Sequence, residues 1–312
     1  MADPFVTGRI GVFQRLSGPL YSLISEYAQG HAPHALMLTG PFGVGKTTLS
    51  LLLTMALLCD AKEKPCGVCP GCRGVRSGTH TNLITLKALA GSRTVKVEQA
   101  RDLISSLSSY PFSRGIRVVR MELVDTFTPA AQNALLKAVE EPDAATCFIL
   151  TAIQEKAVLP TIRSRCRQVR LPMWPPDMVE ELLISRGIPE QEAQDLSTLC
   201  GGSPGKALQI REDEGFRSVR KAAEESIFSI RDISGFPAAS ALLKDVRDSA
   251  DLLLDYAENA ALKSIDRGNP DNENTLRARR ILEAVLISRK RRASNISWQA
   301  AADEILLNIL EE

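Results

Sequence analysis

Short apolar runs alternate with segments of helical spacing over the first half of the chain. Residues 35–39, Ala35-Leu36-Met37-Leu38-Thr39, have the length and continuity of a buried strand, and residues 48–58 read as the helix that follows it. Upstream, Leu16, Leu20, Leu23, Ile24 and Tyr27 recur at helical spacing, so residues 5–30 predict a helix leading into that strand and ended by Gly30. Further strands are predicted over 83–87, 116–121, 146–151 and 167–171, with helices over 97–109 and 130–141. The second of these helices opens on Thr128-Pro129, a capping hydroxyl followed by proline, and closes before Pro142. Strands alternating with helices imply a parallel sheet covered on both faces.

After Pro172, Pro175 and Pro176 the pattern is helical to the end. Helices over 178–186 and 191–199 precede Gly201-Gly202-Ser203-Pro204-Gly205-Lys206. Helices over 219–230, 238–246, 251–265, 275–291 and 298–310 follow, punctuated by Gly268-Asn269-Pro270-Asp271. The expected organisation is an α/β domain over 1–171, a small helical domain over 172–211 and an all-α domain over 212–312, with no internal repeat. A length of 312 residues suits two or three domains, and 44% apolar content suffices for packed cores.

Charge and cysteine usage narrow the class. Thirty-eight basic and 37 acidic residues leave a net charge of +1, so no global field recruits nucleic acid and any such contact needs a local patch. The first residues lack an apolar signal core, and the longest apolar-rich run, 49–59, is too short to span a bilayer; a cytoplasmic protein is expected. Seven cysteines, four of them within 14 residues, suggest a metal cluster plus buried free thiols in a reducing compartment.

The strand at 35–39 runs into Gly40-Pro41-Phe42-Gly43-Val44-Gly45-Lys46-Thr47, which fits the P-loop pattern G-x-x-x-x-G-K-[ST] at every specified position. Strand, loop and helix supply the context that a phosphate cradle needs. Gly40, Gly43 and Gly45 let backbone N–H groups turn inward, the helix N-terminus around Thr48 adds partial positive charge, Lys46 would reach the β/γ-phosphates, and Thr47 would offer its hydroxyl to Mg²⁺. ATP and Mg²⁺ are the ligands such a loop takes; a glycine-rich turn without ligand is the bland alternative. Cys59, Cys66, Cys69 and Cys72, spaced C-x6-C-x2-C-x2-C among turn-forming Pro65, Gly67, Pro70 and Gly71, can surround one tetrahedral Zn²⁺. Four sulfur ligands leave no position for water, so such a zinc is structural; four reduced thiols are the alternative. His31 and His34, with no carboxylate or cysteine beside them, are expected to pack.

The third strand runs into Glu122-Leu123-Val124-Asp125, then Thr128 to Lys137, then Glu140-Glu141-Pro142, then Thr161-Ile162-Arg163-Ser164-Arg165-Cys166. With the P-loop, the four cysteines and the Gly202-Ser203-Pro204-Gly205 turn, these motifs resemble those of the bacterial DNA polymerase III clamp-loader subunits, which are P-loop ATPases of the AAA+ type. The resemblance covers roughly residues 30–210. It implies an AAA+ domain with an inserted zinc module, a helical lid and a helical collar. It also implies a hetero-pentameric assembly of delta, delta-prime and tau/gamma subunits that sets a sliding clamp on primer–template DNA.

What the resemblance implies for single residues differs by position. Arg165 would serve as an arginine finger toward the ATP of a neighbouring subunit, a role worth ~10³–10⁵ in rate. An ordinary surface ion pair is its alternative. The family's Asp-Glu pair falls on Glu122 and Leu123. Glu122 could still hold Mg²⁺, but Leu123 cannot orient a proton, and loss of a positioned base forfeits ~10²–10⁴ in rate. A stator that binds nucleotide and hydrolyses it poorly is therefore expected, with Asp125 as substitute carboxylate if the strand register shifts. Lys206 lies where related ATPases place a basic residue over the nucleotide, or is a solvated lysine at a helix start. The run Arg289-Lys290-Arg291-Arg292, without interleaved aromatics, reads as a solvated helix end rather than a DNA patch. The rivals are an ATP-hydrolysing tau/gamma motor and, more distantly, a P-loop kinase for a small molecule. No N-K-x-D sequence supports a GTPase.

Overall fold

A computed structural model describes residues 4–89, 92, 94–107, 115–142, 146–265, 269, 271–292 and 296–310. The chain divides between Trp174 and Pro175 into two compact units. The end of the expected helix 97–109, and Gly268 and Pro270 of the expected turn, lie outside the described residues.

The first unit is built on one parallel sheet of five strands among the described residues: β1 Ala35–Thr39, β2 Leu83–Leu86, β3 Arg117–Met121, β4 Thr146–Ala152 and β5 Arg167–Arg170, in the order β2-β3-β4-β1-β5. This is the expected α/β P-loop architecture. The central strands β1, β3 and β4 are buried along their whole length, as parallel strands covered on both faces must be. The edge strand β5 instead exposes Arg167, Gln168 and Arg170, which blunts pairing with another sheet.

Helices α1 Pro4–Leu16, α2 Gly18–Ala28, α3 Lys46–Leu58, α4 Pro70–Ser77, α5 Val97–Leu107, α6 Pro129–Glu140 and α7 Pro160–Arg163 complete this unit. The N-terminal segment, expected as one helix, is two. Ser17 is extended, and Pro19, which has no N–H, suits the first turn of a new helix. The apolar helix α3 is buried almost all round, against β1, β3 and β4 below and α2 and α4 beside it. On the opposite face Val119, Met121, Phe148 and Leu150 form a core with Leu103 of α5 and Leu135 and Val139 of α6. His31 and His34 do not pack: both side chains are exposed, and His34 contributes only its carbonyl, which accepts from Phe148 N–H at 2.8 Å.

The second unit is helical: α8 Pro176–Ser185, α9 Glu190–Leu199, α10 Pro204–Glu212, α11 Glu214–Glu225, α12 Phe236–Asp245, α13 Ala250–Lys263, α14 Glu273–Arg292 and α15 Trp298–Leu310. Buried Asp195 on α9 is met by Lys263 of α13 at 3.3 Å and Arg220 of α11 at 3.9 Å. Trp298 opens α15 with its indole N–H on Leu243 O, 2.7 Å away. The basic run is engaged within the chain: Arg289 pairs with Asp255 and Glu258 of α13, and Arg291 with Glu304 of α15. No helix among the described residues is long and apolar enough to cross a membrane.

Gln132 is the buried polar group that ties α6 to the chain on either side of β4. Its amide donates to Phe127 O and Ala157 O, and its Oε1 accepts from Leu159 N–H at 2.8 Å. Gln132→Met keeps the volume and leaves those backbone groups without partners, at ~1–3 kcal/mol for an orphaned group. A stability loss of about 2 kcal/mol is expected. Urea denaturation followed through Trp174, in a Trp298→Phe background, measures it.

Candidate nucleotide and metal sites

Three glycines with positive φ shape the loop between β1 and α3: Gly40 at 140°, Gly43 at 75° and Gly45 at 101°. At Gly40 no side chain fits, because a Cβ would stand 2.7 Å from Leu171 O. Gly45 is the N-terminal boundary residue of α3, and no side chain caps that helix. The first N–H groups of such a helix suit a phosphate, which meets both the unfilled donors and the helix dipole. Lys46 folds its ammonium onto Gly40 O and Pro41 O at 2.7 and 2.6 Å. Burial pulls its pKa down, and nearby Asp125 counters that. Thr47 is exposed at the loop's edge. Thr48 is half-buried behind it. These residues fit a polyphosphate.

The acidic step differs from what the sequence suggested. Val119 and Met121 face the α5–α6 core, so the alternation of a strand places Val118 and Arg120 on the face that α3 covers, and half-buried Glu122 follows the strand's last residue. Glu122, expected as a Mg²⁺ ligand, is the ion-pair partner of Arg120, with Nη2 to Oε1 at 2.8 Å. Arg120 is almost wholly buried; desolvation lowers its pKa and the Glu122 charge raises it. This accounts for an arginine inside an apolar strand. Leu123 carries the only positive φ of a non-glycine residue among the described residues, 57°, and its N–H donates to Thr151 Oγ1 at 3.0 Å. A left-handed leucine costs ~1–2 kcal/mol. Asp125, the candidate substitute, accepts from Gln154 N–H at 2.9 Å, and its other oxygen is buried without a hydrogen-bond partner.

Arg165 follows the short helix α7. Its guanidinium meets Glu140 Oε1 at the end of α6, 2.5 Å away, and Thr161 O at 3.0 Å. The surface ion pair is thus present within the chain, and it raises the arginine's pKa chiefly through the Glu140 hydrogen bond. Cys166, the next residue, is buried in the core and anchors the turn. Lys206 is exposed in the first turn of α10, where its N–H donates to Ser203 Oγ at 3.2 Å. It belongs to the second unit.

The four cysteines converge. Ligand atoms of Cys59, Cys66, Cys69 and Cys72 all lie within 4.8 Å of one another. Cys59 Sγ is 3.6 Å from Cys66 Sγ and 3.8 Å from Cys69 Sγ. A tetrahedral zinc with Zn–S of about 2.3 Å separates its sulfurs by about 3.8 Å, so the set fits Zn²⁺. Cys59 ends α3 and Cys69 caps α4, accepting from Cys72 N–H at 3.3 Å. Gly71 seats α4 on the end of α3: a Cβ there would stand 2.2 Å from Leu58 O, and its N–H donates to Asp60 Oδ2. A metal here would hold the module to the far end of the P-loop helix.

Comparison with known proteins addresses the lineage. The protein-family model for DNA polymerase III, delta subunit, matches residues 18–174, half of the chain. The chain belongs to that family. Among its relatives, the DNA polymerase III subunit delta' of Escherichia coli is 32% identical over 212 residues, which are 67% of this chain and 63% of that protein. The subunit delta' of Pseudomonas aeruginosa is 34% identical over 214 residues, 67% of this chain and 64% of that protein. The matches therefore span less than two thirds of these relatives' own length. The tau subunit of Escherichia coli is 36% identical over 154 residues, 49% of this chain and 24% of that protein. A solved DNA polymerase III gamma subunit-related protein of Thermotoga maritima aligns over 93% of this chain and 98% of that chain at 17% identity, with a TM-score of 0.44.

In this delta-family chain two supports of the loop escaped the sequence reading. The indole of Trp174 donates to Val44 O at 2.9 Å, and the Phe13 ring lies 3.4 Å from where a Cβ on Gly45 would be. Trp174 had one visible signal: it is one of two tryptophans, just before Pro175-Pro176. Phe13 had none beyond its helical phase.

Protein purified without chelator is expected to carry about one equivalent of zinc. Cys72→Ser should lose most of it, whereas Cys147→Ser, at a buried cysteine outside the cluster, should not. Metal analysis by inductively coupled plasma mass spectrometry reads both; zinc-free wild type would leave the cluster as four thiols.

Proposed function

We propose that this chain is a delta-prime-like stator subunit of a DNA polymerase III clamp loader in the cytoplasm. It would help to open the sliding clamp and set it on primer–template DNA beside tau/gamma and delta subunits. Residues 1–171, 172–211 and 212–312 would act as P-loop domain, lid and collar. Family membership supports the assembly, and one observation carries the stator role: the acidic step reads Glu122-Leu123, with Glu122 bound by Arg120 and no carboxylate at position 123. A P-loop without a positioned base holds nucleotide but turns it over slowly. Arg165 would leave Glu140 and present its charge to the ATP of a neighbouring subunit, where electrostatic stabilisation of the transferring phosphoryl group is needed. Lys206 would approach a nucleotide from the lid.

A motor reading has its own support, since the P-loop is complete and the identity to the tau subunit of Escherichia coli is 36% over 154 residues. Steady-state ATP hydrolysis by the purified chain with Mg²⁺, beside Lys46→Ala, separates the two. The stator reading expects no turnover above the control; brisk turnover abolished by Lys46→Ala would restore the motor reading. In an assembly reconstituted with tau/gamma, Arg165→Ala should lower hydrolysis at the adjoining site by ~10³-fold, and Glu140→Gln should not. Undiminished hydrolysis with Arg165→Ala would remove the finger from the proposal.

A further inference from the structure

Within the helical unit, the turn that follows α11 and the first turns of α14 form most of an open cavity of about 330 Å³. Small-molecule sites run from roughly 300 to 1,000 Å³, so the space suits a compact ligand. Part of the lining is apolar, with half-buried Phe228 and buried Ala278 and Ile281. The polar part includes Arg231, Arg277 and Asn274.

The fold accounts for only part of what the two arginines do. Arg277 Nη2 donates to Ile227 O and Phe228 O, each at 3.3 Å, and to Ile230 O. Arg231 Nη1 donates to Phe228 O at 3.0 Å and to Ile230 O at 3.2 Å. Capping the carbonyls of this turn explains one guanidinium. It does not explain a second on the same two oxygens, where like charges repel. Burial, then the charges of Arg231 and Arg280, pull the Arg277 pKa down, and Glu273 counters them in part. The other arginines of this unit that bear on its packing, Arg211, Arg220, Arg289 and Arg291, each meet a carboxylate. Among the described residues no carboxylate pairs with Arg231, Arg277 or Arg280, and Nε and Nη1 of Arg277 have no hydrogen-bond partner. Unanswered positive charge therefore lines a cavity that also has an apolar wall.

We propose that this cavity binds a phosphate monoester carried on a body of nucleoside size, with Arg231 and Arg277 on the phosphate and Phe228, Ala278 and Ile281 against the body. Charge selects the head group. A phosphate monoester brings about −1.5 to −2 at pH 7 and answers two guanidinia, whereas a carboxylate leaves one unanswered. The guanidinium fork also matches phosphate oxygens in pairs. The apolar wall selects the rest of the ligand, since inorganic phosphate alone would leave it facing water. Asn274 adds an amide that can donate or accept. Every residue named here belongs to the second unit, whereas the P-loop belongs to the first.

The test is isothermal titration calorimetry on the full chain carrying Lys46→Ala, which takes the P-loop out of the reading. Adenosine monophosphate is expected to bind with millimolar affinity or better, about tenfold tighter than inorganic phosphate or adenosine. Arg231→Ala, at an exposed position, should weaken it by about tenfold, the loss that goes with a charge-assisted hydrogen bond. Arg277→Gln keeps an amide donor for the carbonyls of the turn while removing the charge, and should weaken it as much. Arg279→Ala, an exposed neighbour outside the cavity, should leave it unchanged. Amide hydrogen exchange over 226–231 and 274–281 should slow when the nucleotide is added. Adenosine binding as tightly as the monophosphate would overturn the role of the phosphate, and inorganic phosphate doing so would overturn the monoester. Affinity unmoved by both Arg231→Ala and Arg277→Gln, or no heat at millimolar nucleotide, would overturn the site.

Discussion

A four-residue segment, 171–174, fixes the P-loop from both sides. Leu171 extends the pairing of β5 with β1 through its N–H on Thr39 O, and its carbonyl closes over Gly40 so tightly that only glycine fits. Three residues later the Trp174 indole takes Val44 O. The loop therefore enters and leaves under groups that belong to the far end of the same unit. Its shape is set by the fold, in advance of any phosphate. Such preorganisation is what allows backbone donors to bind an anion without a large ordering cost.

The second constraint is electrostatic. β3 places a guanidinium in a buried strand, where an unpaired charge would be strongly destabilising, and answers it with a carboxylate two residues on. Removing either partner alone would strand the other. This couples a stability requirement to the position at which the family's acidic step falls. The cysteine module at the other end of α3 has no such tension, since a closed sulfur set does structural work alone.

Much of the fold was legible because the strands are buried on both faces and read as continuous apolar runs; β1, β3, β4 and their neighbours fall where the pattern placed them. The loop and the cysteines were legible because their chemistry demands particular residues at particular spacings. Less visible were features that depend on a partner distant in sequence: Trp174 on Val44, Phe13 on Gly45 and Gln132 on Leu159. α4 was read only as turns, since its helical face exists to seat Cys72 and Gly71 against α3. The pair at 120 and 122 had a local signal, opposite charges two apart on one face of a strand, but the register had to be fixed before that spacing meant contact. His31 and His34 show the converse: the lack of a carboxylate or cysteine beside them suggested packing, yet both side chains are exposed and His34 meets the sheet only through its carbonyl.

Leu123 bears on which acid the turn would accept. Its left-handed backbone suits asparagine, aspartate or glycine and works against the branched apolar residue that stands there. The geometry of this turn thus favours a short acid over a long one. An aspartate there would meet a backbone already shaped for it, whereas the glutamate of an Asp-Glu pair would gain nothing from that geometry.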